Sequence, residues 1–261
     1  MTFPHGMTRP AYSSVLQPHH DYSGTAFPLN RPLSACRVRL MIKTAIFDFD
    51  GTLADTIPLC REAFRRAIRK LDGRILTDEE IERQFGPDDL GVIQKLIPGK
   101  PELHERGREL FIHYYRKLHA DLAPAPFPGT AELLSTLRNL GIRLAMVTGK
   151  RLESAEISLQ FFHLSEFFPI LETGSPEGGV KPDRIKRALS RLNAVASEAI
   201  YIGDAPTDVD ACRSVPIRIL SAGWAEEADI NGLREKKPDF LLTRFEDLER
   251  FFREHHENEG L

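Results

Sequence analysis

"TAIFDFDGTLADT", residues 44–56, opens with a short apolar run that leads into Asp48, Asp50, Gly51 and Thr52. An apolar run this short, bounded by turn-forming residues, reads as a strand buried on both faces, as parallel strands are. Met41 begins the approach cleanly, so that the strand hands Asp48 and Asp50 to a turn at Gly51. Acids delivered at the carboxyl end of a parallel strand stand where open α/β sheets hold their ligands.

Downstream, some 70 residues show helical periodicity alone. "PLCREAFRRAIRKL" (58–71) is amphipathic with a proline near its start, and "TDEEIERQF" (77–85) has a Thr cap and acids in its first turn. "DDLGVIQKLI" (88–97) and "ELHERGRELFIHYYRKLHADL" (102–122) follow, before the proline-rich "APAPFPG" (123–129). Helices and strands then alternate: helix 130–140, strand 142–148, helix 151–161, strand 169–173, helix 182–192, strand 198–204, helix 206–213, strands 217–220 and 240–242, and a terminal helix 245–255. This alternation predicts an α/β fold, a Rossmann-like parallel sheet with helices on both faces. The helical run becomes an inserted all-helical cap, with the core at 41–56 and 128–261, the cap at 57–127 and hinges at 56–58 and 123–129. Residues 1–40 carry four arginines against one acid, Asp21, leaving +3 there and −6 on the rest. Their Pro-, Ser- and His-rich composition reads as a disordered extension, with Met41 an alternative start.

The chain is 41% hydrophobic and 28% charged, as ordinary globular proteins are. A net charge of −3 gives no reason to expect nucleic acid or a membrane surface as partner. No apolar run approaches the roughly 20 residues of a spanning helix. Three scattered cysteines (Cys36, Cys60 and Cys212) suit a reduced, cytoplasmic setting. A small phosphorylated metabolite is the expected partner, on a monomer or small homo-oligomer.

The strand and helix ends bring Asp48, Asp50, Thr148, Lys181, Asp204 and Asp208 toward one crevice. Carboxylates so close repel one another unless a cation neutralises them, and hard oxygen ligands suit Mg²⁺. Singly, each residue has a plainer reading. A lone DxD is a turn, Thr148 a cap for the next helix, Lys181 a surface lysine, and Asp208 a cap beside a solvated Asp210. "TGK" (148–150) lacks the glycine and Ser/Thr of a P-loop, and "GSPEGG" (174–179) lacks dinucleotide spacing.

"DFDGTLADT" (48–56), "VTGK" (147–150), "VKPD" (180–183) and "YIGDAPTDVDAC" (201–212) together resemble, in order, the four motifs of the haloacid-dehalogenase-like hydrolases. The resemblance spans about 41–250, and the insertion after the first motif is similar to the phosphoglycolate phosphatase-like branch. It implies a Mg²⁺-dependent phosphatase working through an aspartyl-phosphate, with Asp48 the nucleophile and Asp50 the general acid/base. It further implies that Thr148 with Gly149, and Lys181, bind the phosphoryl group. Mg²⁺ would be held by Asp48, the backbone carbonyl of Asp50 and Asp204, with Asp208 in support. A phosphotransferase or phosphomutase of the same fold, and a non-catalytic module, are the alternatives. The retained acids argue against the module, and Asp50 against a dehalogenase. A phosphonatase needs a desolvated cap lysine, which nothing marks among Lys70, Lys95 and Lys100. In cap-bearing relatives the loop between the second and third cap helices faces the site. Here it is "FGPDDLG" (85–91), whose Asp88 and Asp89 are expected to select a neutral or basic leaving group over a strongly anionic one.

Overall fold

The computed structural model describes residues 41–256, so the expectations for residues 1–40 lie outside the described residues. Six strands form one parallel sheet in the order β3-β2-β1-β4-β5-β6. They are β1 (Thr44–Phe47), β2 (Arg143–Val147), β3 (Leu171–Glu172), β4 (Ala199–Gly203), β5 (Arg218–Ala222) and β6 (Phe240–Leu242). β1 sits between β2 and β4, with Phe47 level with Met146 on one side and Ile202 on the other. The strand order reverses there, and a crevice opens beyond the carboxyl ends of β1 and β4.

The period-2 alternation of the strands sorts the core into two layers. Ile46, Ala145, Val147, Tyr201 and Ile219 pack against α7 (Lys181–Arg191) and α8 (Pro206–Ser214), through Ile185, Ala188, Val209 and Cys212. Ala45, Phe47, Leu144, Met146 and Ile202 face the other way. They meet Leu133, Leu134 and Leu137 of α5 (Thr130–Asn139) and Leu248 and Phe252 of α10 (Asp247–His256). α6 (Leu152–Phe161) and α9 (Ile230–Lys236) complete the α/β part.

Between β1 and α5 lie α1 (Ile57–Asp72), α2 (Asp78–Glu82), α3 (Asp89–Leu96) and α4 (His104–Leu122). Pro58 starts α1, where its missing N–H costs no hydrogen bond. Leu59, Cys60, Ala63, Phe64, Ala67 and Ile68 form its buried stripe against α4. Phe64 stacks on Phe111 of α4 with ring centroids 4.1 Å apart. Both connections to this block pass Leu53: its carbonyl accepts from the Phe127 N–H (2.9 Å) and from Thr130 Oγ1 (3.3 Å). The two crossings are thus pinned together.

α9 escaped the sequence reading. Its seven residues contain Asn231 and Gly232, which read as a turn, whereas the side chain of Asp229 caps it by accepting from Gly232 N–H at 2.9 Å. Among the described residues no helix is long and apolar enough to cross a membrane.

Phe111→Ala should lower unfolding free energy by about 3–5 kcal/mol in denaturant titrations, because the cavity opens between two packed helices. Ile75→Ala, at a side chain 68% exposed, should change it by less than about 0.5 kcal/mol. Similar effects at the two positions would refute the packing described for the helical block.

Candidate active site

Asp48 is the first residue beyond β1, and its N–H still bonds the Ile202 carbonyl of β4 (2.8 Å). Its Oδ1 accepts from the Phe49 N–H (2.7 Å) and its Oδ2 from Lys181 Nζ (2.6 Å). Lys181, the first residue of α7, also donates to Asp208 Oδ1. Asp208 Oδ2 reaches back to the Ala205 N–H (3.2 Å) at the start of α8. Burial opposes the charge on Lys181, but the carboxylates of Asp208 and Asp48 outweigh it and hold its pKa well above the ordinary lysine value. Asp210, by contrast, is exposed and pairs with Lys236.

Asp204 follows β4 directly. One carboxylate oxygen from each of Asp48, Asp204 and Asp208 lies within 4.8 Å of the others. Asp204 forms no ion pair among the described residues. Burial, and after it the charges of Asp48 and Asp208, push its carboxyl well above the usual carboxylate range. Ionised, three carboxylates face the single ammonium of Lys181, and a divalent cation with hard oxygen ligands would offset the excess. The donor set therefore fits such a cation. Gly51 makes the approach possible: its φ is +67°, and a Cβ there would collide with the Asp204 carboxylate.

Asp50 is held from two sides. Thr56 Oγ1 donates to its Oδ1, and Lys150 Nζ lies 3.0 Å from Oδ1 and 3.4 Å from Oδ2. Thr56 occupies the N-cap position of α1 without capping it, because its hydroxyl is spent on Asp50. The sequence reading assigned no role to Thr56 or Lys150. A threonine in a cap position ahead of Ile57-Pro58 looks like punctuation, and Lys150 enters the sequence only within "VTGK" (147–150), with no role of its own. Thr148 is buried at the end of β2 and its Oγ1 accepts from the Lys150 N–H (3.3 Å). It does not cap α6, whose N-cap residue is Arg151. Gly149 occupies the turn between them, its carbonyl against Gly174.

The loop 85–91 departs from expectation. Asp88 is buried, caps α3 by accepting from the Gly91 N–H (3.0 Å), and pairs with Arg151 (3.0 Å). Asp89 is buried and accepts from Ser154 Oγ. Neither is a solvated acid facing a substrate, so the electrostatic case for a neutral or basic leaving group loses its ground. Gly91 lies against the Pro176 carbonyl so closely that a Cβ would collide with it, and the Asp88 N–H bonds the Ser175 carbonyl (2.9 Å). The loop is thereby docked onto 174–178, just ahead of Lys181.

A family model described as haloacid dehalogenase-like hydrolase matches residues 45–222. The chain is 30% identical over 212 residues to pyrophosphatase PpaX of Halalkalibacterium halodurans, covering 79% of this chain and 95% of the relative. Among solved structures it is similar to one described as a predicted phosphoglycolate phosphatase from Haemophilus somnus 129PT. That match has a TM-score of 0.68 at 19% identity and covers 80% of this chain and 97% of that one. It is also similar to CbbY from Rhodobacter sphaeroides in complex with phosphate, with a TM-score of 0.67 at 24% identity, covering 80% and 96%. At these identities the structures speak for the fold.

Burial above all raises the Asp89 carboxyl from 3.8 to about 6, against the lowering effects of Lys150 and Ser154. The folded protein therefore holds this proton more tightly than the unfolded chain does. Stability should fall as pH rises from about 4 through about 6, by about 3 kcal/mol once Asp89 is ionised. Asp89→Asn should lack that loss, so its advantage over the parent protein grows across the same interval in denaturant titrations. A difference that stays constant with pH would refute this assignment.

Proposed function

The chain belongs to the haloacid dehalogenase-like hydrolase family and is a phosphatase, and from that premise we propose that it hydrolyses a small phosphorylated metabolite through a phosphorylated Asp48. The observation that carries this reading is the convergence of Asp48, Lys181, Asp204 and Asp208 on one crevice, with Asp50 beside it. Residues 57–127 act as the cap and 41–56 with 128–256 as the core.

In the first half-reaction an Asp48 carboxylate oxygen attacks phosphorus and the bond to the leaving oxygen breaks. Asp50 gives that oxygen its proton. In the second, Asp50 takes a proton from water, whose oxygen attacks the phosphoryl group and frees the Asp48 carboxylate. Lys181 draws the transferring oxygens toward positive charge, and the Thr148 hydroxyl with the Gly149 backbone supports them. Asp48, the Asp50 carbonyl and Asp204, supported by Asp208, are the residues that would hold Mg²⁺. Bound there, it supplies positive charge against the phosphoryl oxygens.

The substrate is a phosphomonoester on this reading. A second reading, inorganic pyrophosphate, is favoured by the spent charges of the 85–91 loop: with Asp88 paired to Arg151 and Asp89 enclosed, a second phosphate meets no free pair of acids. The relative from H. halodurans is named a pyrophosphatase. A phosphomutase would return little free phosphate.

The test is phosphate release from a panel of phosphomonoesters and pyrophosphate, with Mg²⁺ and with EDTA. Turnover should need the metal, yield one phosphate per ester bond or two per pyrophosphate, and fall at least about a thousandfold in Asp48→Asn. Metal-independent turnover, or an Asp48→Asn variant of undiminished activity, would overturn the mechanism.

A further inference from the structure

Lys150 belongs to the core, two residues beyond Thr148, yet its ammonium is seated by the helical block. Nζ lies 3.5 Å from Cys60 Sγ on α1 and 4.6 Å from the ring centroid of Tyr115 on α4. Only 2% of its side chain is exposed. Its strong acceptor is Asp50, which it meets through both carboxylate oxygens. A buried ammonium needs a paired anion, and an aromatic face adds to its hold. Asp50 gains equally: its side chain is 22% exposed, and Thr56 alone leaves the carboxylate free to turn about one bond. Lys150, meeting Oδ2 as well as the Oδ1 that Thr56 holds, fixes the plane.

We propose that Lys150 is a positioning residue for Asp50, and that the helical cap completes the device by closing Cys60 and the face of Tyr115 around the ammonium. The proposal rests on Asp50 being the proton donor and acceptor of the reaction. Tyr115 is itself fixed on the core. Its hydroxyl shares Ser158 Oγ on α6 with His119 Nε2, at 2.7 and 2.9 Å. When these helices lift away, the wall leaves with them and water reaches the ammonium. Asp50 then keeps one anchor of two. Asp50 is thus set in place as proton donor and acceptor while the cap is shut.

The test compares p-nitrophenyl phosphate, whose leaving group departs as a stable anion, with ethyl phosphate, whose alkoxide must be protonated. Lys150→Met should lose roughly 30–100-fold in kcat/KM on ethyl phosphate and less than about threefold in kcat/KM on p-nitrophenyl phosphate, because kcat/KM reads the steps up to departure of the leaving group and leaves out the hydrolysis of phosphorylated Asp48 that both substrates share. Tyr115→Leu should show the same selectivity at about tenfold, and Tyr115→Phe, which keeps the ring face, should stay within about twofold. These two serve even where Lys150→Met fails to fold, as judged by circular dichroism. Asp50→Asn combined with Lys150→Met should be no slower than Asp50→Asn alone, because the two act as one unit. Equal losses of kcat/KM on both substrates, or additive losses in the double variant, would overturn the proposal. An Asp50→Asn variant without the selective loss would instead refute the role given to Asp50, and the proposal with it.

Discussion

The crowding of Asp48, Asp204 and Asp208 at the mouth of a parallel sheet is the constraint on which the rest of the site depends. Ionised, three carboxylates whose oxygens lie within 4.8 Å repel one another, and burial with the charges of Asp48 and Asp208 holds the Asp204 carboxyl well above the usual range. The fold tolerates this because β1 and β4 are neighbours whose adjacent ends deliver Asp48 and Asp204 side by side. The third acid comes from the first turn of α8, where a carboxylate is favoured by the backbone N–H groups. Lys181 reaches in from the start of α7 and bridges two of the three. A site of this kind is strained toward cations and toward anything that carries one. On the proposed reading, a phosphoryl group arriving with a divalent ion would relieve that repulsion.

The second half of the chemistry is arranged differently. Asp48 is held by groups of the core alone, Phe49 N–H and Lys181. Asp50, two residues on, is held by Thr56 at the edge of the helical block and by Lys150 beneath it. The turn at Gly51 separates the two carboxyls into these environments, one facing the cation site and one facing the cap. On the mechanism proposed above, attack on phosphorus and movement of the proton fall to neighbouring residues held by different parts of the molecule.

Much of this was legible in the sequence because it follows from backbone periodicity. The short apolar strands, the helical run between β1 and β2 and the acids at strand ends are all local patterns, and Asp48, Asp204 and Lys181 stand where those patterns put them. What escaped was set by contacts across the chain. Lys150 lies 100 residues from Asp50 and 35 from Tyr115, and nothing local separates it from a surface lysine. Thr56 hides in a cap position because a hydroxyl that caps and one that binds a carboxylate are the same residue type in the same place. The acids of the 85–91 loop were visible, but their meaning depended on Arg151 and Ser154, which the alternation of elements placed in α6 without saying which way they faced.

That last point bears on how the enzyme chooses its substrate. Asp88 spends one oxygen on the amide of Gly91 and the other on Arg151, so its charge serves to lock the loop to the core. Asp89, enclosed and held by Ser154, is a carboxyl whose proton is favoured by burial. A loop built this way is placed by packing: Gly91 against the Pro176 carbonyl fixes how near it comes to the segment leading into Lys181. Selection by steric fit in a closed crevice separates substrates differing by a methylene by only about 1–3 kcal/mol. Stronger preference must come from hydrogen bonds to the substrate's own polar groups. Lys150, buried, and Arg151 are already engaged by Asp50 and Asp88. Recruiting either for a substrate anion would mean exchanging one carboxylate partner for another, so a second phosphate gains from Arg151 only what Asp88 gives up.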